Sequence, residues 1–295
     1  MYYFIVNPVA GKGRALQKFQ QLQQTSSFPK ECSIVYMTTG PNDAANFVAS
    51  LVKDDKIASI KLLVVIGGDG TIHEVLNGLG DAHAPVHYIK SGSGNDFYRG
   101  ISEMKEDTIP YYTGEFIQGG KKKVFVNCIG FGFDALVAKL ANESKVKRLF
   151  NVVGLGRMVY VLALIRALFI YTPTPMQLKI DDKTYHFAKT LFVAVNNHPY
   201  MGGGMKINPF AVHDKEDLFV IVAHDLPKWK ILLLFLTVFF GMHTRFQGVT
   251  TFRGKKIDIR TENNILFQTD GEVNETNGAQ MYKTGHYVTI HKHVP

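Results

Sequence analysis

The sequence predicts an α/β N-terminal domain built on a parallel sheet, followed by a mainly antiparallel β C-terminal domain. Two observations carry this expectation. In residues 1–125, short apolar runs alternate with stretches of helical periodicity, the pattern of a parallel sheet with helices on both faces. In residues 126–295, strand-like runs follow one another between turn residues, and the last strand is free to return to the first domain.

The N-terminal elements are legible in order. Tyr2–Val6 reads as a strand, Ala15–Gln24 as a helix, Ser33–Met37 as a strand and Ala44–Lys53 as a helix with one apolar face. Leu62–Ile66 is a continuous apolar run, as expected of a parallel strand buried on both sides. Thr71–Leu79 follows as a helix and Val86–Ile89 as a strand. Thr71 and Glu74 have the spacing of a capping box at the start of that helix.

In the second half, strands are expected at Val124–Cys128, Leu178–Ile180, Thr190–Val195, Phe219–Ala223, Lys256–Arg260, Ile265–Thr269 and Tyr287–His291. Asn277-Gly278 is a two-residue hairpin signal. Two helices interrupt these strands. Leu149 to Tyr171 is apolar but broken by Arg157 and Arg166, and Ile231 to Met242 is too short to span a bilayer. They read as core helices or as a lipid-facing wall.

Composition narrows the function classes. A chain of 295 residues with 46% hydrophobic content holds two domains and is neither disordered nor fibrous. Cys32 and Cys128 are far apart and form no CxxC, which argues against a disulfide framework or a thiolate metal site and suits the reducing cytoplasm. No secretory signal is visible, so the expected location is cytoplasmic, with peripheral contact at a membrane. The formal net charge of +8 attracts phosphates. Without interleaved arginines and aromatics, zinc-finger spacing or a helix-turn-helix pattern, nucleic acid is not the expected partner; an anionic membrane surface fits better. The oligomeric state stays open, a homodimer included.

In a parallel sheet the loops leaving the strand ends converge on one edge, where ligands bind. Here those loops are Asn7-Pro8-Val9-Ala10-Gly11-Lys12-Gly13, Thr38–Asp43, Gly67-Gly68-Asp69-Gly70-Thr71 and Ser91-Gly92-Ser93-Gly94-Asn95-Asp96. Glycines let phosphate oxygens approach backbone N–H groups, and the following helix N-terminus adds a favourable dipole. Neither the P-loop nor the dinucleotide fingerprint is present. Asp69 beside a phosphate cradle repels a nucleotide unless a cation lies between them, so it implies Mg²⁺. Asp96 reads equally as a second anchor or as a helix cap. Lys12 is placed to neutralise phosphate charge.

These motifs, with Glu74-Val75, Asn77-Gly78, Phe97, Arg99, Gly130-Phe131-Gly132-Phe133-Asp134 and Thr269-Asp270-Gly271-Glu272, resemble the diacylglycerol kinase catalytic-domain family over nearly the whole chain. That family includes soluble bacterial lipid kinases and sphingosine kinases. The resemblance implies an N-terminal domain like those of NAD kinase and phosphofructokinase, and transfer of the ATP γ-phosphate to a lipid hydroxyl in the interdomain cleft. It implies that Asn7, Gly11, Lys12, Thr38, Gly67, Gly68, Asp69, Gly70, Thr71, Ser93, Asn95 and Asp96 serve ATP, with Asp69, Asp96 and Asp134 in a Mg²⁺ network. It makes Glu272 the proton acceptor, with Asp270 beside it. Without the family, Asp270-Gly271 between two strands reads as a hairpin turn.

The resemblance further implies a structural Mg²⁺ held by Asp214 and by the carbonyls of Ala211 and Glu216, after the Gly-rich turn at Gly202–Gly204. Lys215 stands where the family has glycine and Leu218 where it has aspartate; one carboxylate with carbonyls and waters can still hold Mg²⁺, or Asp217 substitutes, or the loop carries no metal. Two other readings stay open: another kinase with the Gly-Gly-Asp-Gly-Thr motif, such as NAD kinase, and a lipid-binding regulator without turnover.

Overall fold

The computed structural model describes residues 1–92, 94–143 and 156–293 and divides into two compact units. The first contains Met1–Thr113, Tyr200–Gly204 and the segment from Thr284 on. The second contains Gly114–Pro199 and Met205–Lys283.

The first unit is a six-stranded sheet with strands β1 (Tyr2–Val6), β2 (Ser33–Met37), β3 (Leu62–Gly67), β4 (Pro85–Lys90), β5 (Thr108–Tyr111) and β15 (Val288–His291) in the order β2-β1-β3-β4-β15-β5. All neighbours are parallel except β15 and β5. The late strand β15 therefore lies in the first sheet. The chain steps from β1 outward to β2 and then back across to β3, so the sheet reverses direction between β1 and β3. Ligands bind at such switch points, beyond the C-terminal ends of the strands.

Helices α1 (Arg14–Gln23), α2 (Asp43–Lys53), α3 (Asp69–Leu79) and α4 (Asp96–Ser102) connect these strands. Side chains alternate along a strand. Phe4, Val6, Leu62, Val64 and Ile66 meet Ala15 and Phe19 of α1 on one face. On the other face, Tyr3 lies 6.4 Å from the Phe47 ring of α2. Every residue of β3 is buried, which explains its uninterrupted apolar run. Each fully buried Leu, Ile or Phe contributes about 1.5–3 kcal/mol.

The second unit is a nine-stranded antiparallel sheet. Its strands are β6 (Gly114–Gln118), β7 (Lys121–Phe125), β8 (Cys128–Gly132), β9 (Thr174–Ile180), β10 (Lys183–Asn196), β11 (Leu218–His224), β12 (Val249–Gly254), β13 (Lys256–Thr269) and β14 (Glu272–Lys283). Helices α5 (Phe133–Glu143), α6 (Gly156–Ile170) and α7 (Lys228–Val238) are inserted between strands. The long strands β10 and β13 each pair with β9 along one half and with β8 along the other. In the core Phe131 stacks on Phe267 with ring centroids 5.7 Å apart, and Phe116 meets Phe267 edge-on at 5.9 Å.

Three local expectations are corrected. The run Val124–Cys128 spans the end of β7 and the start of β8, because the chain turns a corner at Val126-Asn127. Lys256–Arg260 and Ile265–Thr269 belong to one strand with an irregularity between Arg260 and Ile265. Asn277-Gly278 lies inside β14 opposite that irregularity and is not a turn. The β13–β14 turn is instead Asp270-Gly271, with φ of 48° and 96°, the left-handed pair that a two-residue hairpin requires.

Candidate active site

The loops that leave β1, β3 and β4 are tied together in the first unit. The Asn7 amide N–H bonds to the Ile66 carbonyl at 2.9 Å, and its side-chain Nδ2 donates to Thr71 Oγ1 at 3.1 Å. The Ser91 N–H and the Tyr88 hydroxyl both donate to the Gly67 carbonyl, at 2.7 Å and 3.2 Å. A side chain at Gly11, where φ is +62°, would meet the Ser91 carbonyl oxygen at 1.7 Å, so only glycine lets these two loops touch. No side chain caps the start of α3. Its N-terminus faces the loop edge as a ready anion site.

Asp69 joins two of these loops. Its Oδ2 accepts the Asp96 N–H at 3.1 Å and its Oδ1 the Phe97 N–H at 3.2 Å, so the carboxylate caps α4 from outside the helix. A Cβ at Gly94 would come within 2.8 Å of Asp69 Oδ2, which explains glycine there. Asp96 is 6% exposed. Its Oδ2 accepts the Gly203 N–H at 2.7 Å, and its Oδ1 bonds Arg99 Nη1 at 3.0 Å. Burial pushes the Asp96 carboxyl above the usual range, opposed by the Gly203 N–H and the Arg99 guanidinium. Arg99 also donates to the Gly94 carbonyl, and Asn95 Nδ2 donates to the Gly92 carbonyl at 3.0 Å.

Asp69 and Asp96 thus stand side by side. Asp96 does not cap α4; Asp69 does. A hydrated Mg²⁺ that keeps most of its waters would fit beside the Asp69 carboxylate and the glycine-lined start of α3, which has no side-chain cap. Among the described residues no three acidic, histidine or cysteine side chains gather as a closed metal cage. Ser93 lies outside the described residues.

The loop after β2 corrects a motif. Glu74 does not close a capping box on α3. Its carboxylate accepts the N–H groups of Asn42 at 3.0 Å and Ala44 at 3.1 Å, which caps α2. The Thr71 hydroxyl is engaged by Asn7 instead. Thr38 is buried, and its N–H bonds the Val6 carbonyl at 2.9 Å. Asp43 is held below the usual carboxylate range by the Tyr36 hydroxyl, followed by the Thr39 amide and hydroxyl.

In the second unit the turn Asp270-Gly271 is anchored from several sides. The Asp270 carboxylate accepts the N–H groups of Val126, Asn127 and Cys128 at 2.6, 2.8 and 3.1 Å. The Gly271 N–H donates to Gln268 Oε1 at 2.8 Å, and Asn142 Nδ2 donates to the Gly271 carbonyl at 3.3 Å. Gln268 Nε2 reaches the buried Asp134 at 3.4 Å, where burial pushes the carboxyl up to about 7. Glu272 follows at the first position of β14 and is exposed. Asp270 therefore positions the turn, while Glu272 presents a carboxylate to solvent on a fixed backbone.

Sequence reasoning missed Gly203, Gln268, Asn127 and Asn142. Apart from the Gln268–Gly271 bond their partners lie far along the chain, and a lone Gln or Asn carries no local signal. His198 belongs to the same anchor: its Nε2 lies 2.8 Å from Asn127 Oδ1, and burial, partly offset by Asp270, lowers it to about 4. The unfolded chain binds a proton near pH 6.5 that the folded chain refuses until pH 4. Stability from this group is therefore present above pH 6.5 and lost as pH falls toward 4, by up to roughly 3 kcal/mol. His198→Gln is expected to flatten the fall in melting temperature across that window. An unchanged acid limb would assign it to other groups.

Residues 1–127 match the model of the diacylglycerol kinase catalytic domain, and residues 127–290 match that of the YegS C-terminal NAD kinase beta sandwich-like domain. The Bacillus subtilis (strain 168) protein named "Putative lipid kinase YtlR" is 33% identical over 92% of this chain and 93% of its own length. A Mycobacterium tuberculosis (strain ATCC 25618 / H37Rv) diacylglycerol kinase is 27% identical over 86% of this chain and 83% of its own. A solved structure from Bacillus anthracis str. Sterne, described as a "putative diacylglycerol kinase", has a TM-score of 0.76 at 22% identity and covers 99% of this chain and 95% of its own. With both halves of the chain matched in order, and a relative similar along nearly its full length, the chain belongs to the diacylglycerol kinase catalytic-domain family.

Proposed function

We propose that this chain is an ATP-dependent lipid kinase that transfers the γ-phosphoryl group of ATP to a lipid hydroxyl such as that of diacylglycerol. The observation that carries the reading is the Asp69 carboxylate, fixed between the loops of β3 and β4 beside the uncapped N-terminus of α3. Asn7, Gly11, Lys12, Thr38, the Gly67–Thr71 loop, Ser93 and Asn95 bind the nucleotide. Asp69 and Asp96 hold Mg²⁺, and Asp134 supports the turn that carries the base. The metal supplies charge neutralisation on the phosphates. Glu272 accepts the proton of the attacking hydroxyl, since a high-pKa alcohol gains from a carboxylate base as the phosphoryl group moves.

The lipid acceptor is supported by an apolar exterior in the second unit. On α7 and just beyond it, Trp229, Leu232, Leu233, Leu236 and Phe240 are exposed, Phe240 at 77%, whereas Ile231, Leu234 and Val238 of the same helix are buried. The exposed set recurs at helical spacing, so α7 carries one apolar stripe inward and another outward. Phe169 of α6 is 74% exposed and adjoins the start of α7, where Lys228 Nζ reaches the Phe169 carbonyl at 3.5 Å. Lysines on both sides of Trp229 suit an anionic interface. No helix among the described residues is long and apolar enough to cross a membrane. We infer peripheral contact with an anionic bilayer.

The initial rate on vesicles is expected to rise with the anionic lipid fraction and fall with salt, each added basic contact contributing about 1 kcal/mol. Trp229→Ser with Phe240→Ser should weaken sedimentation with anionic vesicles several-fold. Indifference to both lipid charge and the double substitution would remove the interface. The activity is tested by incubating γ-labelled ATP with a panel of diacylglycerol, phosphatidylglycerol, a sphingoid base and a polyprenol, beside NAD and fructose 6-phosphate. Label on one lipid supports the proposal. Label only on NAD or the sugar phosphate overturns the lipid acceptor, and ATP binding without transfer makes the chain a non-catalytic regulator.

A further inference from the structure

The segment from Ala211 to Asp217 is where family resemblance implies a structural divalent ion, yet its carboxylates are already matched by cations of this chain. Asp214 Oδ1 accepts the N–H groups of Glu216 at 2.8 Å and Asp217 at 3.1 Å, which folds the segment on itself. Its other oxygen, Oδ2, lies 2.9 Å from Arg253 Nη2. The same guanidinium places Nε 2.5 Å from Asp217 Oδ2. The Glu216 carboxylate bonds Lys255 Nζ. Lys283 is 8% exposed, and burial lowers its ammonium to about 7 against the attraction of Asp214 and Asp217.

Asp214 and Asp217 therefore share the Arg253 guanidinium, and Glu216 is paired with Lys255. An ion held by one carboxylate and backbone carbonyls depends on uncompensated negative charge and on free lone pairs at that carboxylate. At Asp214 both oxygens are already engaged, Oδ1 by two N–H groups and Oδ2 by the Arg253 guanidinium. Arg253 is also fixed from behind. It sits on β12 opposite Phe219 of β11, with its guanidinium 5.4 Å above that ring. A planar fork stacked on an aromatic face can bond two carboxylates at once, which a lysine cannot do.

We propose that in this chain the Arg253 guanidinium, seated between Asp214 and Asp217, takes the structural place of the divalent ion, so that the segment leading into β11 is held without metal. The two departures from the family pattern fit this account. Leu218 removes a carboxylate that an ion would use, and Lys215 adds a further positive charge to the loop.

The test is thermal melting of the full chain, free of nucleotide, in EDTA and in millimolar Mg²⁺. Wild type and Asp214→Asn are expected to respond to Mg²⁺ equally, within about 1 °C, since the ion has no business at Asp214. Arg253→Gln is expected to melt about 2–8 °C lower in EDTA and to recover part of that loss in Mg²⁺, because two unpaired carboxylates now face each other. A Mg²⁺-dependent rise in wild type that vanishes in Asp214→Asn would overturn the proposal, as would an Arg253→Gln variant that melts like wild type. If Arg253→Gln does not fold, the comparison of wild type with Asp214→Asn decides alone. None of these readouts depends on the lipid-kinase activity.

Discussion

Replacing Asp69 by asparagine is expected to lower phosphoryl transfer by on the order of 10³-fold or more, because in the proposed mechanism it removes the negative charge that would hold Mg²⁺ against the phosphates. The side chain does two things, and the two are separable. It caps α4 through the N–H groups of Asp96 and Phe97, and it is the proposed metal anchor. Asparagine keeps one oxygen for the cap and discards the negative charge. Asp69→Asn should therefore melt within a few degrees of wild type, whereas Asp69→Ala loses the cap and about 1 kcal/mol of local stability. Both variants should be inactive. Turnover by Asp69→Asn within tenfold of wild type would show that the charge is not needed and that Asp69 only holds α4.

Glu272→Gln is expected to lower kcat by about 10²–10⁴-fold, the span of general-base catalysis, with ATP affinity nearly unchanged. The geometry separates it from its neighbour. Asp270 spends its carboxylate on three backbone N–H groups, so it holds the turn in place. Glu272 is exposed at the first position of β14, and its substitution should shift stability by no more than about 0.5 kcal/mol. A change confined to KM would mean that Glu272 binds substrate without taking its proton.

Much of the fold was legible because burial leaves a periodic trace. Leu62–Ile66 could only be a strand covered on both faces, and the loops between strand ends then had to converge. The α/β unit with its parallel sheet and the antiparallel β unit agree with that reading. Errors arose where a local pattern was outvoted at a distance. The apolar run Val124–Cys128 crossed a corner that Asp270 stabilises from the next hairpin. Asn277-Gly278 has the composition of a turn, yet it pairs within a long ladder opposite an irregularity. Glu74 has capping-box spacing but serves α2, because α3 begins at Asp69 and Thr71 therefore lies inside its first turn, not at the cap.

The candidate site divides the same way. Glycines and carboxylates at strand ends announce themselves by composition, so Asp69, Asp96 and their loops were found without structure. Gly203 reaches Asp96 across 107 positions of sequence, and no local motif marks that contact. Gln268 and Asn142 support the Asp270-Gly271 turn through single side chains that look ordinary in sequence. The exposed stripe on α7 was visible only as an apolar run, since sequence cannot say which of two apolar faces turns outward.

The proposed lipid kinase activity requires both the Asp69 and the Glu272 carboxylates. Its most direct test is recovery of label in the lipid phase after incubating γ-labelled ATP with diacylglycerol-containing anionic vesicles, using wild type, Asp69→Asn and Glu272→Gln in parallel. Labelled lipid is expected from wild type alone, with all three proteins folded and Glu272→Gln still binding ATP. Labelled lipid from either variant at the wild-type rate would contradict it.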